Sequence, residues 1–330
     1  MQRLELRVIA GEDVRRLLPF GDSVDAVASA MRSVSAGSTI MPLRQVMRLP
    51  GGRGALGTMP GYLGDPECFG IKLLSLFPGN PAVGLSSHLG LYMLCEAGNG
   101  RPLALMEASA LTAIRTAAAS VVATRALARA NSSVLAIIGT GEEAHSHLEA
   151  FQAVRPFERL LVWGRNPVAA RRLADRAREL GIGSASVVPS VPQALAEADV
   201  VCTVTASPEP LLSGADVRPG THLCLVGASI PSTREVDDAC VAMSRFYVDY
   251  RASAMAQAGE LLHAIGAGAV TESHVVAEIG EVLSGIRPGR GSDAEVTVYK
   301  SLGVAAQDLA AATLVYRRAV ELDIGTLAAI

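Results

Sequence analysis

The sequence predicts an α/β protein of two domains, one of them a doubly wound parallel sheet. Three observations carry that prediction. From Ser133 onward, short apolar runs alternate with helical segments, the rhythm of strand–helix–strand crossovers. Half of the residues are hydrophobic and 18% are charged, a balance that excludes a disordered chain. The length of 330 residues exceeds one core of ordinary size.

The N-terminal third reads as mixed. Ser23 to Val34 has helical spacing, and Leu43–Leu49, Ala55–Met59 and Phe69–Phe77 read as strands. Gly-Gly-Arg-Gly at 51–54 and Gly-Asp-Pro at 64–66 are the turn signals between them. Glu107–Ala130 reads as a long Ala-rich helix that contains Arg115. The alternating part begins with an apolar run at 133–139 and a helical segment at 142–154. A second apolar run at 159–165 precedes an amphipathic helix at 167–181, opened by Pro167 at a favoured first helical position. Runs at 185–190, 199–205, 222–229 and 245–251 supply further strands. Residues 274–290 read as a helix ending near Gly285 and Pro288. A strand at 296–303 and a final helix from Val304 to Leu322 complete the chain.

Composition narrows the function classes. A net charge of −3 argues against a nucleic-acid binder, which carries a basic excess. No uninterrupted apolar run reaches the ~18 residues of a membrane span. The N-terminal stretch MQRLELRVIAGEDVRR carries charge from Arg3 onward and lacks the apolar core of a leader. Cys68, Cys95, Cys202, Cys224 and Cys240 are an odd, scattered set without a CxxC pair, which reads as reduced thiols in the cytoplasm. No His, Cys or carboxylate cluster has metal-ligand spacing, so no metal is expected. Of the 29 basic residues only Lys72 and Lys300 are lysines, and the other 27 are arginines. Lysine can shed its proton and act as an acid or base where guanidinium cannot, so both are suspects for such a role.

The sharpest motif is Gly139-Thr140-Gly141-Glu142-Glu143-Ala144, the G-x-G-x-x-A form of the dinucleotide fingerprint. It follows a strand-like run and opens a helix, the context that a Rossmann fold requires. The first Gly permits the tight turn and the second lets backbone approach the pyrophosphate. Ala144 lets helix pack on strand, and the helix N-terminus faces the phosphates. The next strand ends in Trp163-Gly164-Arg165-Asn166, without the carboxylate that bonds the ribose of NAD. Arg165 would attract a 2′-phosphate and Asn166 could donate to it, so NADP(H) is favoured, with NAD(H) as the alternative.

Motifs in order along nearly the whole chain resemble the ornithine cyclodeaminase/mu-crystallin family. They include Met41-Pro42-Leu43-Arg44, Gly70-Ile71-Lys72-Leu73, Thr112-Ala113-Ile114-Arg115-Thr116-Ala117 and the Gly139 fingerprint. Thr203-Val204-Thr205, Val226-Gly227-Ala228-Ser229, Arg234-Glu235-Val236-Asp237-Asp238 and Lys300-Ser301-Leu302-Gly303 continue the likeness. The resemblance implies a Rossmann domain at 126–299. It is inserted into an α+β substrate and dimerisation domain made of 1–125 and 300–330, so a homodimer is expected. Lys72 matches the family's acid/base, and Arg44 and Arg115 match the arginines that hold a substrate carboxylate. Two guanidinium groups beside one lysine would depress its pKa towards neutrality. Thr112, Thr203, Val204, Thr205, Val226, Gly227 and Ala228 are expected beside the cofactor, and Lys300 is read as structural or cofactor-proximal.

Ornithine cyclodeaminases carry Asp at the position that matches Ser229, where a base is needed for the distal ammonium. A serine hydroxyl cannot serve as that base near neutral pH. The implied activity is therefore hydride transfer to C2 of a small 2-imino acid, as in ketimine or pyrroline-2-carboxylate reductases. The alternatives are ornithine cyclodeamination, an alanine-dehydrogenase-like reaction, or a non-catalytic NADPH and small-ligand binder.

Overall fold

Eight parallel strands form the sheet that the alternating rhythm predicts. The computed structural model describes residues 4–330. Met1, Gln2 and Arg3, part of the stretch read above as lacking a leader, lie outside the described residues. The chain divides into two units, the first made of residues up to Arg115 plus Val304–Ile330 and the second of Thr116–Gly303.

The first unit opens with β1 (Glu5–Ile9), α1 (Gly11–Leu17), α2 (Phe20–Ser35), β2 (Thr39–Ile40) and β3 (Gln45–Arg48). It continues through β4 (Ala55–Gly64), β5 (Glu67–Leu76), β6 (His88–Glu96) and β7 (Pro102–Glu107). Helix α3 (Ala108–Leu127) follows, its first turn capped by the Glu107 carboxylate, which accepts from the N–H groups of Ser109 and Ala110.

The second unit holds β8 (Val134–Ile138), α4 (Glu142–Val154), β9 (Arg159–Trp163), α5 (Pro167–Glu179), β10 (Ser184–Val187), α6 (Val191–Leu195) and β11 (Val200–Thr203). After β12 (His222–Leu225) come α7 (Asp238–Met243), β13 (Ser244–Val248), α8 (Arg251–Gln257), α9 (Gly259–Gly266), β14 (Val275–Glu278), α10 (Ile279–Leu283) and β15 (Val296–Lys300). The chain then returns to the first unit for α11 (Ala305–Glu321) and β16 (Thr326–Ala329).

In the second unit the strand order is β10-β9-β8-β11-β12-β15-β13-β14, with every pair parallel. The order reverses at β8, the topological switch point where open α/β sheets bind their ligands. Buried Leu161, Val201, Leu223, Phe246 and Val298 fill the core on this sheet. Both faces are covered, so its strands read as continuous apolar runs.

The first unit is built on a mixed sheet of order β16-β1-β7-β6-β5-β4-β2, with β3 also on β4 and only β1–β7 parallel. Helix α11 packs on β4 and β5, with α2 beside it. Cross-strand partners Met59, Lys72, Tyr92 and Met106 form one row on the covered face. Gly61 lets the start of α11 approach β4, because a Cβ there would stand 2.6 Å from Cβ of Ala305.

The structure corrects the sequence reading in two places. Residues 274–290 are not one helix: Val275–Glu278 pairs with β13 as an edge strand, and only Ile279–Leu283 is helical. The β-branched Val275-Val276 pair suits the pleated surface, and Glu281 starts the helix by accepting from the Glu278 N–H at 2.8 Å. The units divide at Arg115/Thr116 and Gly303/Val304, against expected boundaries at 125/126 and 299/300. The later part of α3 packs within the second unit, where Ser120 bonds His147 at 2.9 Å and Thr124 approaches Cys224. Helical periodicity cannot show which unit a given turn joins.

Candidate active site

The first unit gathers a buried cluster of charges around Lys72. Alternation along β5 turns Cys68, Gly70 and Lys72 to the face under α11. Lys72, 1% exposed, places Nζ 2.8 Å from Oδ2 of Asp308 and 2.9 Å from its Oδ1. Arg115, near the middle of α3, donates from Nε to Oδ1 of the same carboxylate at 2.8 Å and from Nη1 to Oε1 of Gln307 at 3.0 Å. Thr112, one turn before Arg115, accepts a long hydrogen bond from Lys72 at 3.4 Å. Arg44 lies in the segment between β2 and β3, near enough for its charge to act on Lys72.

This setting changes the chemistry of the lysine. Burial and the positive charge of Arg115 pull Lys72 down to about 7, against the opposing pull of Asp308, with Arg44 adding to the lowering. The depression expected from two arginines is therefore present, but desolvation is its largest cause. Burial alone would raise the Asp308 carboxyl, yet Arg115 and Lys72 hold it below the usual carboxylate range. The result is an ionised carboxylate beside an amine poised between its two protonation states.

The second unit brings the expected nucleotide-binding segments to the carboxyl ends of its strands. Gly139 follows β8 with φ at 129°, a conformation that favours glycine, and a Cβ there would meet the Val204 carbonyl. Its N–H donates to the Trp163 carbonyl at 2.9 Å, and the Val204 N–H donates to the Ile138 carbonyl at 2.9 Å. The fingerprint loop is thus tied to the ends of β9 and β11. Thr140 contacts Gly164, Gly141 has open space where a side chain would project, and no side chain caps α4, which begins at Glu142. Ala144 is fully buried against the sheet. These features fit a dinucleotide, whose pyrophosphate would lie at the N-terminus of α4.

Arg165 is exposed after β9. Asn166 has a structural task beyond the expected one: its Oδ1 caps α5 by accepting from the N–H groups of Val168 and Ala169.

Thr203 ends β11 with Val204 and Thr205 after it, and Val226, Gly227, Ala228 and Ser229 follow β12. One buried carboxylate braces both loops. Glu235 Oε2 accepts from Thr203 Oγ1 and the Gly227 N–H, each at 2.7 Å. Its Oε1 accepts from the Thr205 N–H at 2.9 Å and from Thr205 Oγ1 at 2.7 Å. Lys300, fully buried on β15, donates to the Ala228 carbonyl and pairs with Glu260 at 3.1 Å. Both lysines of the chain are therefore interior and carboxylate-paired. Lys300 belongs to the second unit and supports the Ser229 loop, in keeping with a structural role.

Asp308, Gln307 and the bracing role of Glu235 were not assigned from sequence. A signal for the first two was present: Gln307-Asp308 is a polar pair inside the apolar run 304–312, and buried polar groups need partners. His88 is exposed at the start of β6 with its ring against Ser87. Among the described residues no group of His, Cys, Asp and Glu could hold a metal, and no helix is long and apolar enough to cross a membrane.

The ornithine cyclodeaminase/mu-crystallin family model matches residues 6–323. Ketimine reductase mu-crystallin of Mus musculus is 38% identical over 280 residues, covering 85% of each chain. Among solved structures, Thermococcus litoralis Δ(1)-pyrroline-2-carboxylate reductase in complex with NADH and L-proline superposes with a TM-score of 0.94. It is 34% identical, over 97% of this chain and 99% of that one. An archaeal alanine dehydrogenase dimer with bound NAD gives a TM-score of 0.93 at 33% identity, over 98% and 99% of the two chains. The chain belongs to the ornithine cyclodeaminase/mu-crystallin family.

Proposed function

We propose that this protein is a nicotinamide-dependent reductase of small 2-imino acids, of the ketimine or pyrroline-2-carboxylate type. The observation that carries the reading is the buried Lys72, poised near neutrality beside two arginines suited to a carboxylate. The nicotinamide cofactor, when bound, supplies hydride to C2 of the imine. Arg115 has Nε and Nη1 engaged by Asp308 and Gln307, which fixes the fork and leaves Nη2 for the substrate carboxylate. Arg44 is the second arginine for that carboxylate. Lys72 delivers the proton that the imine nitrogen needs as C2 is reduced.

Ser229 is the reason to favour reduction over cyclodeamination, since the Ser229–Pro231 segment offers no ionisable group to deprotonate a distal ammonium. NADP(H) is the preferred cofactor in this reading because exposed Arg165 stands where a ribose-binding carboxylate would select NAD. All five cysteines are unpaired and buried, as a reducing cytoplasm would leave them.

The partner in solution is a second copy of the chain. Val8, Leu73, Leu89, Leu91 and Met93 expose an apolar surface on the sheet face opposite Lys72, and the archaeal alanine dehydrogenase relative is a dimer.

The test is loss of absorbance at 340 nm when NADPH or NADH is mixed with Δ1-pyrroline-2-carboxylate, linear 2-imino acids, or pyruvate with ammonia. A parallel incubation with ornithine and NAD or NADP measures proline and ammonia. Reduction of an imino acid with little proline from ornithine is the expected result. Proline formation from ornithine at a rate rivalling imine reduction would overturn it.

A further inference from the structure

The Lys72 cluster contains one carboxylate whose effect on the lysine the reading above does not use. Asp308 is fully buried on α11, yet its oxygens meet both Lys72 and Arg115 within 2.9 Å. It is not itself a proton donor, because its two cationic neighbours hold it ionised.

Tyr92 is the cross-strand neighbour of Lys72 on β6, and Met59 on β4 has no titratable group. Helix α3 contributes Arg115 and Thr112, α11 contributes Asp308, and Arg44 precedes β3. Cys68 lies on the same face of β5 and bonds Thr313 at 3.3 Å. Among these groups Asp308 is the single carboxylate. Without it, a protonated Lys72 would be the third cation in a dry pocket with Arg44 and Arg115.

We propose that Asp308 is a positioning residue for the reduction: it keeps Lys72 in its ammonium form and aimed, so that a proton is available to the imine nitrogen. This rests on reading Lys72 as the proton donor. A bound reduced nicotinamide would supply the hydride for the new C–H bond at C2, and the C=N π pair would take one proton from the Lys72 ammonium. The amine product leaves, the cofactor is oxidised, and the neutral lysine regains its proton from water. Asp308 keeps its charge throughout, and Gln307 holds the other arm of Arg115, so that carboxylate binding and proton supply share one anchor.

The test uses the full chain and Asp308→Asn. Only two lysines are present, so 13C-lysine labelling gives two side-chain Cε signals, and Lys72→Met assigns them. The Lys72 signal of the unsubstituted protein is expected to titrate near 7, and in Asp308→Asn its midpoint should fall by about one pH unit or more. Kinetically, with Δ1-pyrroline-2-carboxylate and NADPH, a one-unit fall predicts kcat/KM reduced about tenfold at pH 8 and approaching the unsubstituted value by about pH 5. An unmoved Lys72 midpoint, or an activity ratio constant across pH, overturns the proposal and leaves Asp308 a structural ion-pair partner. Asp308→Ser removes the same charge with a smaller side chain and is held to the same two outcomes if Asp308→Asn does not fold. The titration needs no turnover, so a protein that reduces no imino acid would defeat the functional reading and still decide the role of Asp308.

Discussion

Glu235→Gln tests whether one buried carboxylate organises the cofactor side of the protein. Glu235 is fully buried and receives Thr203 Oγ1, the Thr205 N–H and Oγ1, and the Gly227 N–H within 2.9 Å. An amide must place its NH2 where one of the oxygens stands. A threonine hydroxyl can rotate and accept from that NH2, but the backbone N–H of Thr205 or of Gly227 is then left facing a donor. One buried donor without a partner costs about 1–3 kcal/mol, and each remaining bond loses its charge assistance at about 0.5–1 kcal/mol. Relief of burying the carboxylate offsets part of this, for a net loss of about 2–4 kcal/mol. For a protein of this size that is a fall in Tm of about 3–6 °C. Thermal unfolding followed by circular dichroism measures the first effect. Titration of NADPH fluorescence measures the second, a cofactor Kd raised about tenfold because both loops relax. An unchanged Tm together with a Kd within about twofold of the unsubstituted value would show that the loops hold their shape without Glu235, and the reasoning would fail.

Four further outcomes follow from the geometry. Lys72 sits near 7 in the fold, well below 10.5, so reduction, which needs the ammonium, should decline as pH rises through about 7 while amino-acid oxidation climbs. Between those two values the unfolded chain binds the extra proton, so stability should rise with pH there by up to about 1.4 kcal/mol per unit, and Lys72→Met should lose that slope in pH-dependent urea unfolding. Lys72→Arg should be close to inactive at every pH, since guanidinium cannot release its proton; near-normal turnover would refute the acid/base role. Arg165→Ala should weaken NADPH binding by about tenfold and leave NADH nearly untouched, read by fluorescence titration of each cofactor; equal effects on both would remove the case for NADP preference. Gly61→Val should push α11 from β4 at Ala305 and Leu309, costing about 1–3 kcal/mol in urea unfolding and disturbing the Lys72–Asp308 pair three residues along the helix. A variant of full stability and full activity would mean that this close approach is dispensable.

Much of the fold was legible because the second unit obeys local rules. Its strands are buried on both faces and read as short apolar runs, and α5 declares itself through Pro167 and its amphipathic spacing. The Gly139 fingerprint lies between β8 and α4, as the motif demands. The first unit was harder to read. Strand β6 hides its alternation because both faces are apolar, Tyr92 and Leu94 under α11 and Leu89, Leu91 and Met93 on the other side. Strand β16 exists only because β1, from the opposite end of the chain, offers it an edge. The 274–290 segment carried helical spacing, and only the open edge of β13 makes its beginning a strand.

The family resemblance pointed to Arg44 and Arg115, whereas the amino-acid sequence by itself determined the Rossmann half, the fingerprint loop and the scarcity of lysine that singled out Lys72 and Lys300. These are properties of residue type and short-range spacing. What the tertiary structure decided is which charge answers which. Asp308 lies 236 positions from Lys72 and 193 from Arg115, and no local pattern links them. The return of the chain after Gly303 lays α11 over β5, and burial there makes the carboxylate, the amine and the guanidinium depend on one another. The same holds for Glu235, whose four donors come from loops that meet only when β11 and β12 pair. Charge in a dry interior is settled by its partners, and those partners are chosen by the fold.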